Sequence, residues 1–101
     1  DIIAEKCGSR VDILDVVPGG NRRMHGIDGY VDVITDKGTI RITSLDAPIF
    51  TIGARNGIGF SREMPDLSEG VQFCLFNNLW STNFSLWWEG SVRYRFHLEM
   101  K

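Results

Sequence analysis

Apolar and polar residues alternate almost without fault over residues 91–100. Val92, Tyr94, Phe96, Leu98 and Met100 fall on one side of an extended chain, and Arg93, Arg95, His97 and Glu99 on the other. A period of two is the signature of a strand with one buried and one solvated face. The same period runs through 30–35 and 39–45, and Asp36-Lys37-Gly38 between them reads as the turn of a β-hairpin. In that hairpin Ile40 and Ile42 are expected to face inward, and Thr39, Arg41 and Thr43 outward. Segment 71–76 is apolar on both faces apart from Gln72, the pattern of a central, doubly covered strand. Pro48 is placed to open a short strand over 49–52. Residues 84–88 read as a further strand, and the chain begins inside another, Asp1-Ile2-Ile3-Ala4.

No segment repeats apolar residues at helical spacing. The expected fold is therefore all-β: a single antiparallel β-sandwich domain over 1–101, Greek-key-like, with about six or seven short strands. Two connections stand out. Residues 17–21 are turn-rich, and 53–70 is long for a compact domain, a length usually tied to function or to ordering by a partner. Because the chain starts on Asp1 within a strand pattern, it reads as a processed or excised piece of a longer protein.

Composition narrows the function classes. The net charge of −2, from 11 basic and 13 acidic residues, makes neither nucleic acid nor an anionic membrane an expected partner. The two cysteines, Cys7 and Cys74, are expected as buried thiols rather than as a disulfide framework. His25 and His97 show no metal-ligand spacing, and His97 falls on the polar side of its strand, so no metal site is expected in this chain. Asp12, Asp15, Asp46, Asp66, Glu69 and Glu89 are carboxylates that sequence alone does not pair for glycoside hydrolysis. Gly53, Gly57 and Gly59 lack the following helix that a phosphate-cradling loop requires. The basic pairs Arg22-Arg23 and Arg93/Arg95 read as surface charge or as salt-bridge partners of another domain. No catalytic residue is assigned.

The best binding candidate is the segment holding all three tryptophans, Trp80, Trp87 and Trp88, together with Asn77, Asn78, Thr82 and Asn83. Indole faces stack on the apolar faces of sugars, and amides satisfy hydroxyls. The same residues also suit an interface with a neighbouring domain, the reading favoured here. Asn83-Phe84-Ser85 has the form of a glycosylation sequon and is treated as chance.

Leu75-Phe76-Asn77-Asn78-Leu79-Trp80-Ser81-Thr82-Asn83-Phe84, followed by Glu89-Gly90 and Val92-Arg93-Tyr94-Arg95-Phe96, resembles the C-terminal end of glycoside hydrolase family 38, the α-mannosidases and their relatives. Leu45-Asp46-Ala47-Pro48-Ile49-Phe50-Thr51-Ile52-Gly53 is similar to a second block of that family, in the right order. The stretch Leu14-Asp15-Val16-Val17-Pro18-Gly19-Gly20-Asn21-Arg22-Arg23 looks closer to a divergent branch, and Gly53-Ala54-Arg55-Asn56-Gly57 lacks the acidic residue expected after the first glycine. The resemblance implies a zinc-dependent retaining hydrolase as parent, with zinc and nucleophile in a separate catalytic domain. This chain would then be a non-catalytic C-terminal β-domain that shapes the active-site surroundings, with segment 77–84 facing the catalytic domain. The alternatives are a stand-alone carbohydrate-binding module and a purely structural interaction domain.

Overall fold

The first hairpin is built from Ile2–Lys6 (β1) and Ser9–Asp12 (β2), with Ala4 opposite Val11 and Lys6 opposite Ser9. The computed structural model describes residues 1–54, 59–77, 83 and 85–101. Met24–Gly26 (β3) follows, then the hairpin of Tyr30–Thr35 (β4) and Gly38–Ser44 (β5), then Ile49–Ile52 (β6), Val71–Phe73 (β7) and Phe96–Met100 (β8). The fold is all-β, with two antiparallel sheets in the orders β2-β1-β4-β5-β8 and β3-β6-β7. The described residues thus hold eight strands rather than six or seven. The extra ones are short: β3 has three residues, too few to show a period.

The two sheets face each other because their apolar rows coincide. Strand register places Ile2 beside Val33 and Ala4 beside Val31 on one face of the large sheet. That face packs on Phe50 and Ile52 of β6, with Ile13 and Ile27 closing the core and Ile42, Leu67, Val71 and Phe73 at its margin. The chain passes between the sheets after β2, β3, β5 and β7, so each sheet alternates in sequence with the other.

A ladder of rings ties the sheets at one side. His25 stacks on Phe50 at 5.4 Å, Phe50 meets Phe73 at 6.1 Å, and Phe73 meets Phe96 edge-on at 5.0 Å. The first two contacts are cross-strand pairs within the small sheet. The third joins the edge strand of one sheet to the edge strand of the other. Aromatic pairs in such geometries add to the burial of the rings themselves.

Three sequence expectations change here. The doubly covered strand is β6, in the middle of the small sheet, and not segment 71–76. β7 stops at Phe73 on the edge, and Leu75 and Phe76 beyond it are exposed. Residues 85–88, the described part of the expected strand 84–88, are not in a strand. The alternation of 91–100 does end in a strand, over 96–100, but its apolar row is open to solvent: Leu98 is 66% and Met100 88% exposed. A three-stranded sheet is too narrow to cover a five-stranded one, so the row runs out past the cover.

The described parts of the long connection, residues 53–54 and 59–70, are held by the chain itself. Asn21, at the end of the turn 17–21, donates from Nδ2 to the Gly59 carbonyl at 3.2 Å and accepts the Ser61 N–H at 3.1 Å. The Arg22 N–H donates to the Ser61 carbonyl at 2.7 Å. The loop leaves β6 through Gly53, whose φ of +84° and close approach to Pro65 suit glycine. It returns through a 3₁₀ turn, Leu67–Glu69, capped by the Asp66 carboxylate on the Ser68 N–H at 2.9 Å.

His25 is buried in the core rather than solvated. Its Nε2 lies 3.2 Å from the Arg22 carbonyl, which can only accept, so the neutral ring carries its proton there. Burial pushes the imidazole below the ordinary histidine range; the Arg22 carbonyl opposes this and Lys6 adds to it. A base whose folded pKa is lowered binds fewer protons folded than unfolded. Its stabilising effect is therefore complete above the ordinary value of about 6.5 and is lost as pH falls from there through the lowered folded value. Urea denaturation at neutral pH and at mildly acidic pH should show the wild-type chain losing stability across that window. His25→Phe, which keeps a ring beside Phe50, should stay flat over the same range.

Candidate interaction surface

After β7 the described residues 75–77 and 85–92 leave the core. Leu75, Phe76, Leu86, Trp87, Trp88 and Val92 are all exposed. Trp87 is 71% and Trp88 50% exposed, far more than indoles of a closed core. The segment is nonetheless locally built. Ser85 Oγ donates to the Trp87 carbonyl at 2.8 Å and accepts the Trp87 N–H at 3.2 Å, a hydroxyl-closed turn that presents both indoles. Trp88 leans on Phe76 at 5.7 Å with a 48° tilt. Gly90 lies against the indole: a Cβ there would sit 2.7 Å from Trp88 Cζ2, and the backbone at φ +153° resists side chains in any case. Gly90 is thus the backing of the Trp88 ring, which gives a physical reason for the Glu-Gly step in the sequence.

Of the residues singled out from sequence, Asn77, Asn83, Trp87 and Trp88 are exposed along this segment. Asn78, Trp80 and Thr82 lie outside the described residues. Asn77 Nδ2 approaches Cys74 Sγ at 3.9 Å. Phe76 joins Trp88 without having been singled out. Its alternation with Cys74 in an apolar run signals core as readily as surface, and only the early end of β7 separates the two.

Other sequence candidates resolve into structural roles. Asp46 takes a two-pronged contact from Arg95, Nε and Nη2 each at 2.9 Å, plus the Arg95 N–H at 2.8 Å. Arg95 therefore has its partner within the chain rather than in another domain. The Arg95 guanidinium holds the Asp46 carboxyl below the usual range. Asp12 caps the Leu14 N–H, and Arg22 donates to the Leu14 carbonyl. Both cysteines are free, but neither is fully buried as expected: Cys7 sits exposed in the β1–β2 turn and Cys74 is half-buried. Among the described residues, no group of histidine, cysteine, aspartate and glutamate side chains is arranged to hold a metal ion.

On the outer face of the large sheet the sequence missed a second constellation. Asp32 is 3% exposed although it points away from the core. Arg41 Nε and Nη2 reach its two carboxylate oxygens at 2.7 Å each, and Arg10 Nη1 reaches Oδ2 at 2.9 Å. The Arg41 guanidinium lies 3.6 Å over the Tyr30 ring, and Arg10 also donates to the Tyr30 hydroxyl at 3.2 Å. Hydrogen bonds from Arg41 first, and from Arg10 next, hold the Asp32 carboxyl below the usual range against the effect of burial. Every charge in this cluster is used in linking β2, β4 and β5 across the sheet.

The exposed rings of Phe76, Trp87 and Trp88 and the amides of Asn77 and Asn83 can bind another surface by apolar contact and hydrogen bonding. No protein-family model matches the chain, and neither a curated protein nor a solved structure matches it.

Proposed function

We propose that this chain is a non-catalytic β-domain of a protein similar to glycoside hydrolase family 38, and that segment 75–92 packs on a catalytic domain of the same parent. The observation that carries the reading is the exposure of Trp87, held by Ser85, and of Trp88, braced by Phe76 and Gly90, between the blocks that carry the family resemblance. Exposed rings held in a fixed pose by local contacts are what an interface between domains needs, because little ordering cost remains on docking. The zinc and carboxylates of the parent's chemistry would belong to the other domain, and this one would shape the surroundings of the sugar site.

The experiment is reassembly. The chain is co-expressed with the upstream portion of its parent, and tryptophan emission and co-purification are followed. A stable complex with blue-shifted emission is expected. Trp87→Ala, at an exposed ring, should weaken the complex while changing the stability of the free domain by about 0.5 kcal/mol or less. Failure to associate would sink the proposal. If, in addition, mannosides titrated onto the isolated chain quench its tryptophans, the carbohydrate-binding module takes its place, with Trp87 as the stacking ring.

A further inference from the structure

The open edge of the large sheet has an ordered chemistry of its own. Thr39 and Lys101 exchange two backbone hydrogen bonds, Lys101 N–H to the Thr39 carbonyl at 2.8 Å and Thr39 N–H to the Lys101 carbonyl at 3.2 Å. In an antiparallel ladder such pairs alternate with non-bonded ones. The register then makes Arg41–Glu99 and Thr43–His97 the next bonded pairs, and Leu45 N–H to the Arg95 carbonyl at 3.1 Å continues the series. The backbone groups of Phe96, Leu98 and Met100 therefore point away from β5. Among the described residues, no strand pairs with that outer side of β8. The side chains of the same residues continue the apolar row beside Ile40, and two of the three, Leu98 and Met100, lie mostly in solvent. β8 has no proline, and its register with β5 runs without a bulge; the charges on and beside it, Arg95, Glu99 and Lys101, all lie on its polar face, away from the apolar row.

We infer that β8 pairs antiparallel with β8 of a second copy of this chain, about a two-fold axis through Leu98, joining two five-stranded sheets into one. Three features select this arrangement. It overlaps the whole strand. It sets the outward N–H and C=O groups of Phe96, Leu98 and Met100 against their own counterparts, Phe96 opposite Met100 of the second copy and Leu98 opposite Leu98. It also sets the His97 ring opposite the Glu99 carboxylate of the second copy, twice, so that no like charges face each other at these positions; within one chain His97 Nε2 lies 4.0 Å from Glu99 Oε1. Arg95 falls opposite Lys101 of the second copy, but its charge is already taken up by Asp46 at 2.9 Å. A one-residue slip would oppose apolar to polar faces. A two-residue shift would set His97 against itself and shorten the overlap. The isologous contact closes on itself and leaves no further edge at β8.

Sedimentation equilibrium of the 101-residue chain over a range of micromolar concentrations tests this. A reversible dimer is expected. Leu98→Lys places an ammonium on the axis facing its own copy and should yield a monomer with an unchanged far-UV spectrum, since this side chain is mostly outside the core. Met100→Lys, remote from the buried core, serves as a second variant with the same expectation. His97→Glu sets carboxylate against carboxylate twice and should weaken the dimer about tenfold, and adding Glu99→His should restore it. A monomer at every concentration overturns the inference. So does a dimer that persists in Leu98→Lys and Met100→Lys, for instance one held by the tryptophan surface.

Discussion

Phe50→Ala should cost the domain about 3–5 kcal/mol, the range for removing a fully buried phenylalanine. Phe50 has no solvent exposure and lies in the central strand of the small sheet, where it and Ile52 are that sheet's buried members of the core shared with the large sheet. Truncation removes the stack on His25 and the contact with Phe73, and leaves a cavity lined by β-sheet backbone that cannot collapse freely. A domain of this size has only about 5–15 kcal/mol in total, so the variant should be unfolded or close to it in mild urea. Phe60→Ala is the comparison. That ring is exposed, touched by the Arg62 guanidinium at 5.6 Å, and its loss should fall within about 0.5 kcal/mol of wild type. Equal losses at the two positions would mean that the core does not run through the ring ladder.

Asp32→Ala should cost about 3 kcal/mol, the low end for breaking a buried ion pair, because Arg10 is half-exposed and partly screened. The substitution strands Arg41 over Tyr30 without an anion and removes the carboxylate that Arg10 of β2 and Arg41 of β5 share on β4, leaving only their contacts with Tyr30. It should also change the acid limb of stability. The folded Asp32 carboxyl is held below its unfolded value, so its stabilising effect is present above about pH 4 and is lost as pH falls from there through the folded pKa. The wild-type chain should therefore lose stability more steeply than Asp32→Ala below about pH 4. Parallel curves for the two proteins in acid would show that Asp32 is not ionised against the arginines.

Much of the sheet structure was legible because strand formation is a local, period-two property. The hairpin of β4 and β5, the start of β6 at Pro48 and the run of β8 all follow from alternation and turn residues that neighbours in sequence supply. The all-β class follows from the same signal, together with the absence of helical spacing. The exposed tryptophans were singled out by composition alone, without any knowledge of what would surround them.

Burial was a different matter, since it depends on which strands lie opposite one another. Leu98 and Met100 have the pattern of core residues and are solvated, because the facing sheet has only three strands. His25 and Asp32 have the composition of surface residues and are buried, one under Phe50 and one under Arg41, its partner across the hairpin, and Arg10, which β2 brings in from elsewhere in the chain. Segment 71–76 is apolar on both sides, yet it is an edge that the chain abandons after Phe73. The amino-acid order by itself determined that the chain would form antiparallel strands, and where most of them would run. Only the tertiary structure decided which faces would be dry, because the width of one sheet against the other is settled by long-range pairing that no local period encodes.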